Sequence, residues 1–221
     1  VKDAKEFIAA SDIDSELWAD ISPDGKTLVY QSVKHLSQGN KLFSGNILTK
    51  IIGSNNQPIE LAKNSGLPKW SPDGKSLVFM QSNGAKRQLE TISAMGSERK
   101  TLTSENVQSV SYSLLPYLRI QTNDFSWSPD SSKIAFIAEK DGKRNIWVKN
   151  ADLSNEQNLS QNIDSNLFLF FLFWSADGKR IAYSTKTQSA NSDGKPTFEF
   201  KVVDLETKTI DTILSRNSFI R

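Results

Sequence analysis

Along this chain apolar and polar residues alternate in short runs with a period of two, and helical spacing is weak throughout. Residues 145–149 (Asn-Ile-Trp-Val-Lys) show the pattern, and 42–48, 88–92 and 198–203 carry related strand-like runs. Alternation of this kind predicts half-buried β-strands. Each run is followed by a further strand-like segment, at 157–160, 58–62, 100–103 and 209–214, with turn signals such as Asp141-Gly142 and Ala151-Asp152 around them. One stretch does not alternate: Leu167-Phe168-Leu169-Phe170-Phe171-Leu172-Phe173-Trp174 is apolar throughout. A membrane span takes about 20 such residues, so this run predicts a strand buried on both faces.

The strands recur because the sequence repeats. Ile21-Ser22-Pro23-Asp24-Gly25-Lys26-Thr27-Leu28-Val29-Tyr30 returns as Trp70-Ser71-Pro72-Asp73-Gly74-Lys75-Ser76-Leu77-Val78-Phe79. It returns again as Trp127-Ser128-Pro129-Asp130-Ser131-Ser132-Lys133-Ile134-Ala135-Phe136, and as Trp174-Ser175-Ala176-Asp177-Gly178-Lys179-Arg180-Ile181-Ala182-Tyr183. The serines at 22, 71, 128 and 175 stand 49, 57 and 47 residues apart. A period near that length belongs to a propeller blade or a solenoid unit. The motif reads as a hairpin turn: serine bonds the backbone ahead, proline presets φ, aspartate follows, and glycine accepts a positive φ. Ser131 replaces the glycine in the third copy, Ala176 the proline in the fourth, and Ile21 the tryptophan in the first.

The expected fold is therefore all-β, a β-propeller of four-stranded antiparallel blades at about 17–65, 66–123, 124–165 and 166–215. Residues 1–16 form an outer strand (5–10) and a linker before the first blade. Residues 216–221 read as the lead into another blade, which points to an N-terminal portion of a larger propeller. A closed ring of four stays open, since propellers have roughly four to eight blades. Residues 104–123 lengthen one connection and are expected as a surface loop between blades.

Composition narrows the function classes. Apolar residues make up 37% and charged residues 24%, as in ordinary globular proteins. The formal net charge is +2 and the basic residues are scattered, so no field for a nucleic-acid backbone or an anionic membrane arises. There is no cysteine, which excludes disulfides and thiolate chemistry and fits a bacterial extracytoplasmic protein. The sequence starts at Val1 without a signal peptide, as expected of a processed or excised piece.

The repeated unit resembles the WD40-like PD40 repeat of TolB-type β-propellers. The segment 145–152, followed by Asn158-Leu159-Ser160, resembles that repeat's second half. The resemblance covers about 17–215 and is specific for fold, poorly specific for function. It implies a non-catalytic module that binds a protein, peptide or ligand through loops and a central channel. Such repeats serve in periplasmic TolB-type proteins and in sensor parts of membrane-anchored kinases or winged-helix regulators. They also serve as accessory propellers of prolyl-oligopeptidase-like peptidases, whose catalytic domain would lie outside this chain.

Candidate chemistry is sparse. His35 is the one histidine and lies in a loop context, where a solvated side chain is the expected state. One histidine without cysteine cannot build a zinc site of the usual type. No Gly-x-Ser-x-Gly elbow, Walker A loop or Gly-x-Gly-x-x-Gly run occurs. Asp12, Asp14 and Glu16 would share one face of an extended segment and could hold calcium, with an acidic, solvated linker as the favoured reading. Asp24, Asp73, Asp130 and Asp177 recur in every copy, which points to turn making. Trp70, Trp127 and Trp174 are expected between blades, and Trp147 on a third strand. The residues singled out are thus the turns: Ser22, Pro23, Asp24, Gly25; Ser71, Pro72, Asp73, Gly74; Ser128, Pro129, Asp130; and Ser175, Asp177, Gly178. No catalytic, cofactor or metal residue is assigned. Loops 104–123 and 188–196 are the expected contact regions for a protein or peptide partner, with no nucleic acid and no membrane insertion.

Overall fold

A computed structural model of the chain describes residues 15–33, 45–83, 86–103, 106–107, 124–140, 143–160, 167–187 and 197–216. Their regular structure is entirely β, and every ladder is antiparallel. The expected outer strand at 5–10, Asp12, Asp14, His35, and the loop residues 108–123 and 188–196 lie outside the described residues. The chain divides into two compact units, Val1–Ser104 and Glu105–Arg221.

In the first unit the strands are β1 (Ser15–Ile21), β2 (Thr27–Val33), β3 (Gly45–Ile51), β4 (Ile59–Trp70), β5 (Ser76–Asn83), β6 (Lys86–Ser93) and β7 (Lys100–Thr101). They pair in sequence order. Two blades read as one ladder because β4 serves both. Its start pairs with β3 through Ala62 and Ile47, and its end pairs with β5 through Trp70 and Leu77. The outer strand of one blade thus runs without a break into the first strand of the next.

The second unit holds β8 (Asn106–Val107), β9 (Phe125–Trp127), β10 (Lys133–Lys140), β11 (Lys143–Asn150) and β12 (Gln157–Asn158) in one sheet. Its other sheet is β13 (Leu167–Trp174), β14 (Arg180–Thr187), β15 (Phe198–Asp204) and β16 (Ile210–Arg216).

The first strand of each blade carries an irregularity four residues before its turn serine. Trp18, Leu67 and Phe171 adopt φ of 45°, 56° and 60°. Each lies where the register of β1, β4 or β13 shifts. A positive φ is an outlier for such bulky residues, and a bulge is the local structure that accommodates it. In the third blade the same place holds an insertion. Val107 pairs with Ala138 and Phe125 with Phe136, so the chain leaves β10 after β8 and rejoins it at β9. This corrects two expectations. The extra residues interrupt the first strand of the third blade instead of lengthening the connection before it. Residues 106–107 accordingly belong to the sheet of the third blade and not to a second blade ending at 123. The physical reason is that a bulge already frees a residue from the ladder, so added length there breaks no further pairing.

The apolar run Leu167–Trp174 is a strand, but it is not buried on both faces. Leu169 and Leu172 are buried while Phe173 is 50% exposed. The bulge lets Leu172 turn inward out of strict alternation.

Each unit has its own core. In the first, Val29, Ile47 and Ala62 pack with Trp70, Leu77, Phe79 and Ile92. In the second, Ala135, Ile137, Ile146, Val148 and Leu159 pack with Leu169, Leu172, Ile181, Tyr183 and Val203, flanked by Trp174. Trp70 and Trp174 therefore join adjacent blades, and Trp127 is buried as well. Tyr183 is an odd member of this core. Its hydroxyl is buried without a hydrogen-bond partner among the described residues, and burial, then the nearby Glu199 carboxylate, push its pKa far up. An unsatisfied buried hydroxyl costs roughly 1–3 kcal/mol. Tyr183→Phe should therefore raise unfolding stability by about 1 kcal/mol, read as a higher urea midpoint at unchanged slope. A destabilised variant would show that the hydroxyl has a partner in solution.

Candidate functional site

The residues that the sequence singles out meet in four copies of one local circuit. The turn serine amide bonds the carbonyl five residues on: Ser22 to Thr27, Ser71 to Ser76, Ser128 to Lys133 and Ser175 to Arg180, at 2.8–2.9 Å. The fourth turn residue returns a bond to the serine carbonyl at 2.8 Å for Gly25 and 2.9 Å for Gly74, Ser131 and Gly178. The serine hydroxyl donates to the aspartate Oδ1 at 2.6 Å in the first three turns and 2.5 Å in the fourth. It also accepts the amide of Thr27, Ser76, Lys133 or Arg180 at 2.9–3.0 Å. The same Oδ1 takes the amide of Lys26, Lys75, Ser132 or Lys179 at 3.0 Å. The motif works because one hydroxyl both donates and accepts, which ties the carboxylate to the start of the next strand.

Backbone geometry explains the rest. Gly25, Gly74 and Gly178 have φ of 72°, 71° and 68°, and Ser131 takes 61° in their stead. The prolines and glycines also meet across blades inside each unit. A Cβ on Gly74 would stand 3.5 Å from Pro23 Cδ, and one on Gly178 would stand 3.8 Å from Pro129 Cδ. A side chain at the glycine of one turn would thus come into contact with the proline of the blade before it.

These hydrogen bonds hold the turn carboxylates in their charged form. The Ser22 and Ser175 hydroxyls, then the Lys26 and Lys179 amides, lower the pKa of Asp24 and Asp177. At Asp73 burial opposes the shift, and the Ser71 hydroxyl and Lys75 amide outweigh it. Asp130 is lowered to about 2 by Ser128, then by the Ser132 amide and hydroxyl. Carboxylates so saturated with donors are poor general acids or bases near neutrality.

Other recurrent contacts lie at residues that the repeat motif does not point to. The amides of Ile52, Ala94, Ala151 and Leu205 bond the carbonyls of Lys26, Lys75, Ser132 and Lys179 at 2.8–3.0 Å, closing the far hairpin of each blade onto its turn. Thr103 Oγ1 takes the Leu89 amide at 3.0 Å, and Ser160 Oγ the Ile146 amide at 2.7 Å. A hydroxyl thus continues the ladder where the short outer strand ends, and the shared Leu-Thr and Leu-Ser pairs are its sequence signal. Asp20 Oδ2 accepts the Trp70 amide at 2.8 Å, joining the first two blades. Arg99 bridges Glu90 and Gln81 and lies 5.3 Å from the Phe79 ring centre. No spacing in the sequence announces that cluster.

Between the two sheets of the second unit lies a cleft of about 290 Å³. The third blade contributes Lys133, Asn150, Asn155 and Gln157, and the fourth Lys179, Asp204, Leu205 and Glu206. Asp204 is already committed. Its Oδ1 accepts the amides of Glu206 and Thr207 at 3.0 Å each, and the Thr207 amide leads the causes that lower its pKa. The lining offers donors and acceptors of both signs and no nucleophile–base pair. Among the described residues no three His, Cys, Asp or Glu side chains gather as a metal site, and no helix is long and apolar enough to cross a membrane. Glu16 stands on β1, but its side chain lies outside the description.

Antiparallel blades keyed by identical turns define a β-propeller. Solved structures bear this out. Over 93% of this chain and 45% of the other, TolB from Acinetobacter baumannii matches with a TM-score of 0.61 at 20% identity. A putative TolB from Agrobacterium tumefaciens matches over 88% of this chain and 63% of its own, with a TM-score of 0.60 at 19% identity. The propeller domain of the trilobed protease from Pyrococcus furiosus, described as having an open velcro topology, matches over 92% and 58%, with a TM-score of 0.62 at 16% identity. The chain thus has the TolB-like β-propeller fold, and it spans less than two thirds of each of these structures. No family model and no curated protein matches it.

Two outcomes follow from the turn. Open space lies where a Cβ on Gly25 would stand, so replacing this residue is costly only through φ. Gly25→Ala should cost about 1 kcal/mol in urea unfolding, while Ser131→Gly should cost nothing. Acid provides the second. The folded pKa of Asp130 lies below its unfolded value, so its stabilising share is full above about pH 4 and is lost as pH falls through the folded value. Thermal midpoints should fall between pH 5, about one unit above the unfolded value, and pH 2, about the folded value. Asp130→Asn should start lower and fall less, and a parallel descent of both proteins would contradict the account.

Proposed function

We propose that the chain is a non-catalytic binding and scaffold module that engages a protein or peptide partner, in the manner of a TolB-like propeller. The observation that carries this reading is the saturation of its recurring polar groups. Every turn serine and aspartate is spent on its own blade, which leaves them to hold shape. The cleft between the third and fourth blades supplies a described concave surface. Its lysines, amides and carboxylates suit the polar backbone and charged side chains of a peptide segment. An extracytoplasmic place in a bacterium, as the sensor part of a membrane-anchored regulator or kinase, fits the lack of cysteine. The second reading, an accessory propeller of a peptidase, draws on the likeness to the trilobed protease domain.

Cross-linking of the tagged chain in its native cells should trap a protein or peptide. Recovery should drop when Lys133 and Lys179 are both replaced by Glu, with the circular dichroism spectrum unchanged. Turnover of a peptide or ester panel by the purified chain would overturn the non-catalytic reading. Equal recovery by the double variant would remove the cleft from the interface.

A further inference from the structure

The residues lining the cleft between the third and fourth blades have counterparts, position for position, in the first and second. Lys133 pairs with Asn150, and Val148 with Gln157. At the same count from the turn serine, Thr27 pairs with Ile51, and Thr49 with Ile59. On the other wall Lys179, Asp204 and Glu206 correspond to Lys75, Ser93 and Met95. Matching hydrogen bonds fix that alignment: the Leu205 amide bonds the Lys179 carbonyl, and the Ala94 amide the Lys75 carbonyl. Ile51, Ile59 and Met95 are 55%, 65% and 90% exposed, and they stand where Asn150, Gln157 and Glu206 stand in the second unit. Blades therefore pack with apolar side chains at these places, and the polar lining of the second unit is not a requirement of the fold.

Its charges are unequally committed. Lys26 and Lys75 pair with the aspartates of their own turns at 3.8 and 3.9 Å. Lys133 and Lys179 form no ion pair among the described residues. Asp204, in contrast, is held by two backbone amides and by Arg180 Nε at 3.5 Å. Strand order sets the groups in a line. Lys133 opens β10 and Lys179 immediately precedes β14, Asn150 ends β11, and Gln157 opens β12. Glu206 lies in the turn between β15 and β16. The cleft is thus cationic at its β10–β14 end and carries amides and one uncommitted carboxylate at its β12–β16 end.

We propose that this cleft recognises a single carboxylate of the partner peptide, received between Lys133 and Lys179, with the peptide backbone running outward past Asn155 and Gln157. The inference rests on the reading of the chain as a peptide-binding module and gives that reading its chemistry. Two ammonium groups lining one cleft repel each other, and an anion between them relieves the repulsion. Each also forms a charge-assisted hydrogen bond with a carboxylate oxygen. The Asn155 and Gln157 side chains each offer donors and an acceptor, which matches the N–H and C=O groups of an extended backbone. Glu206 only accepts, so it disfavours a second acidic group at the outer end. Together with Asp204 it also opposes a dianion such as phosphate.

The test titrates short peptides into the isotope-labelled 221-residue chain and follows its backbone amides by nuclear magnetic resonance. Ala-Glu-Ala, Ala-Gln-Ala and Ala-Lys-Ala are used with both ends capped, and acetylated Ala-Ala-Ala with a free carboxy terminus. The Glu peptide or the free terminus should shift the amides of Asn150, Lys179 and Leu205 to saturation. The first result marks a side chain as the source of the carboxylate, and the second a chain end. Added salt should weaken either response. Lys133→Met and Lys179→Met should each weaken binding by roughly three- to tenfold. Lys75→Met, at the matching place in the second blade, should leave it unchanged, and all three variants should keep the folded amide spectrum. An equal response to the Gln or Lys peptide overturns the proposal, as does unchanged binding by both cleft variants. Silence of the cleft amides towards all four peptides overturns it too. A partner still trapped by cross-linking would then leave the binding-module reading standing without the carboxylate.

Discussion

A four-stranded sheet that is apolar on both faces cannot stand alone in water. Small antiparallel sheets gain independent stability only when a hydrophobic face is covered, and these sheets have two such faces. Leu77 and Phe79 face one neighbour while Val78 and Met80, alternating with them along β5, are buried on the other side of the same strand. The need for a cover on each face is what makes repetition the natural architecture. Within each unit one blade supplies the seat and the next its lid. Sequence drift between copies is tolerated as long as both faces stay apolar and the stacking geometry is kept.

Stacking geometry is the task of the turn. A hydrogen-bonded circuit of serine, aspartate and strand amides holds each hairpin in one shape, irrespective of the side chains around it. The proline of one turn also lies where a side chain at the glycine of the next turn would reach it, at Pro23 with Gly74 and at Pro129 with Gly178. The polar circuit thus fixes the angle at which a strand leaves its hairpin, and the apolar faces supply the driving force. Changes that spare the circuit are accommodated. Ser131 takes the left-handed conformation that glycine takes elsewhere, and Ala176 leaves the fourth circuit intact.

This division of labour explains what could be read from the sequence. The hairpins were legible because their chemistry is local: Ser, Asp and Gly sit within four residues and need no distant partner. The tryptophans at 70 and 174 were legible as blade joints because they recur at one place beside the turn. The bulges at Trp18, Leu67 and Phe171 were not, since no glycine marks a positive φ there. The insertion was visible as the long spacing between Ser71 and Ser128, but its place was not. Only the pairing of Val107 and Phe125 along one strand shows that it opens from within a blade. The Arg99–Glu90–Gln81 cluster escaped for a related reason, because its members come from different strands with unrelated spacing.

The bulge position carries a wider consequence. A ladder tolerates added length only where a residue is already unpaired. Every first strand in this chain offers one such place, four residues ahead of its turn serine, and one blade has used it. The circuit after it is undisturbed: Ser128 and Asp130 keep the same bonds as their counterparts in blades without an insertion. Length can therefore enter the strand without altering the hairpin that sets blade packing. Divergence is channelled to a site where stability does not depend on the residues added, which is the condition for a rigid repeat to acquire a contact surface of its own.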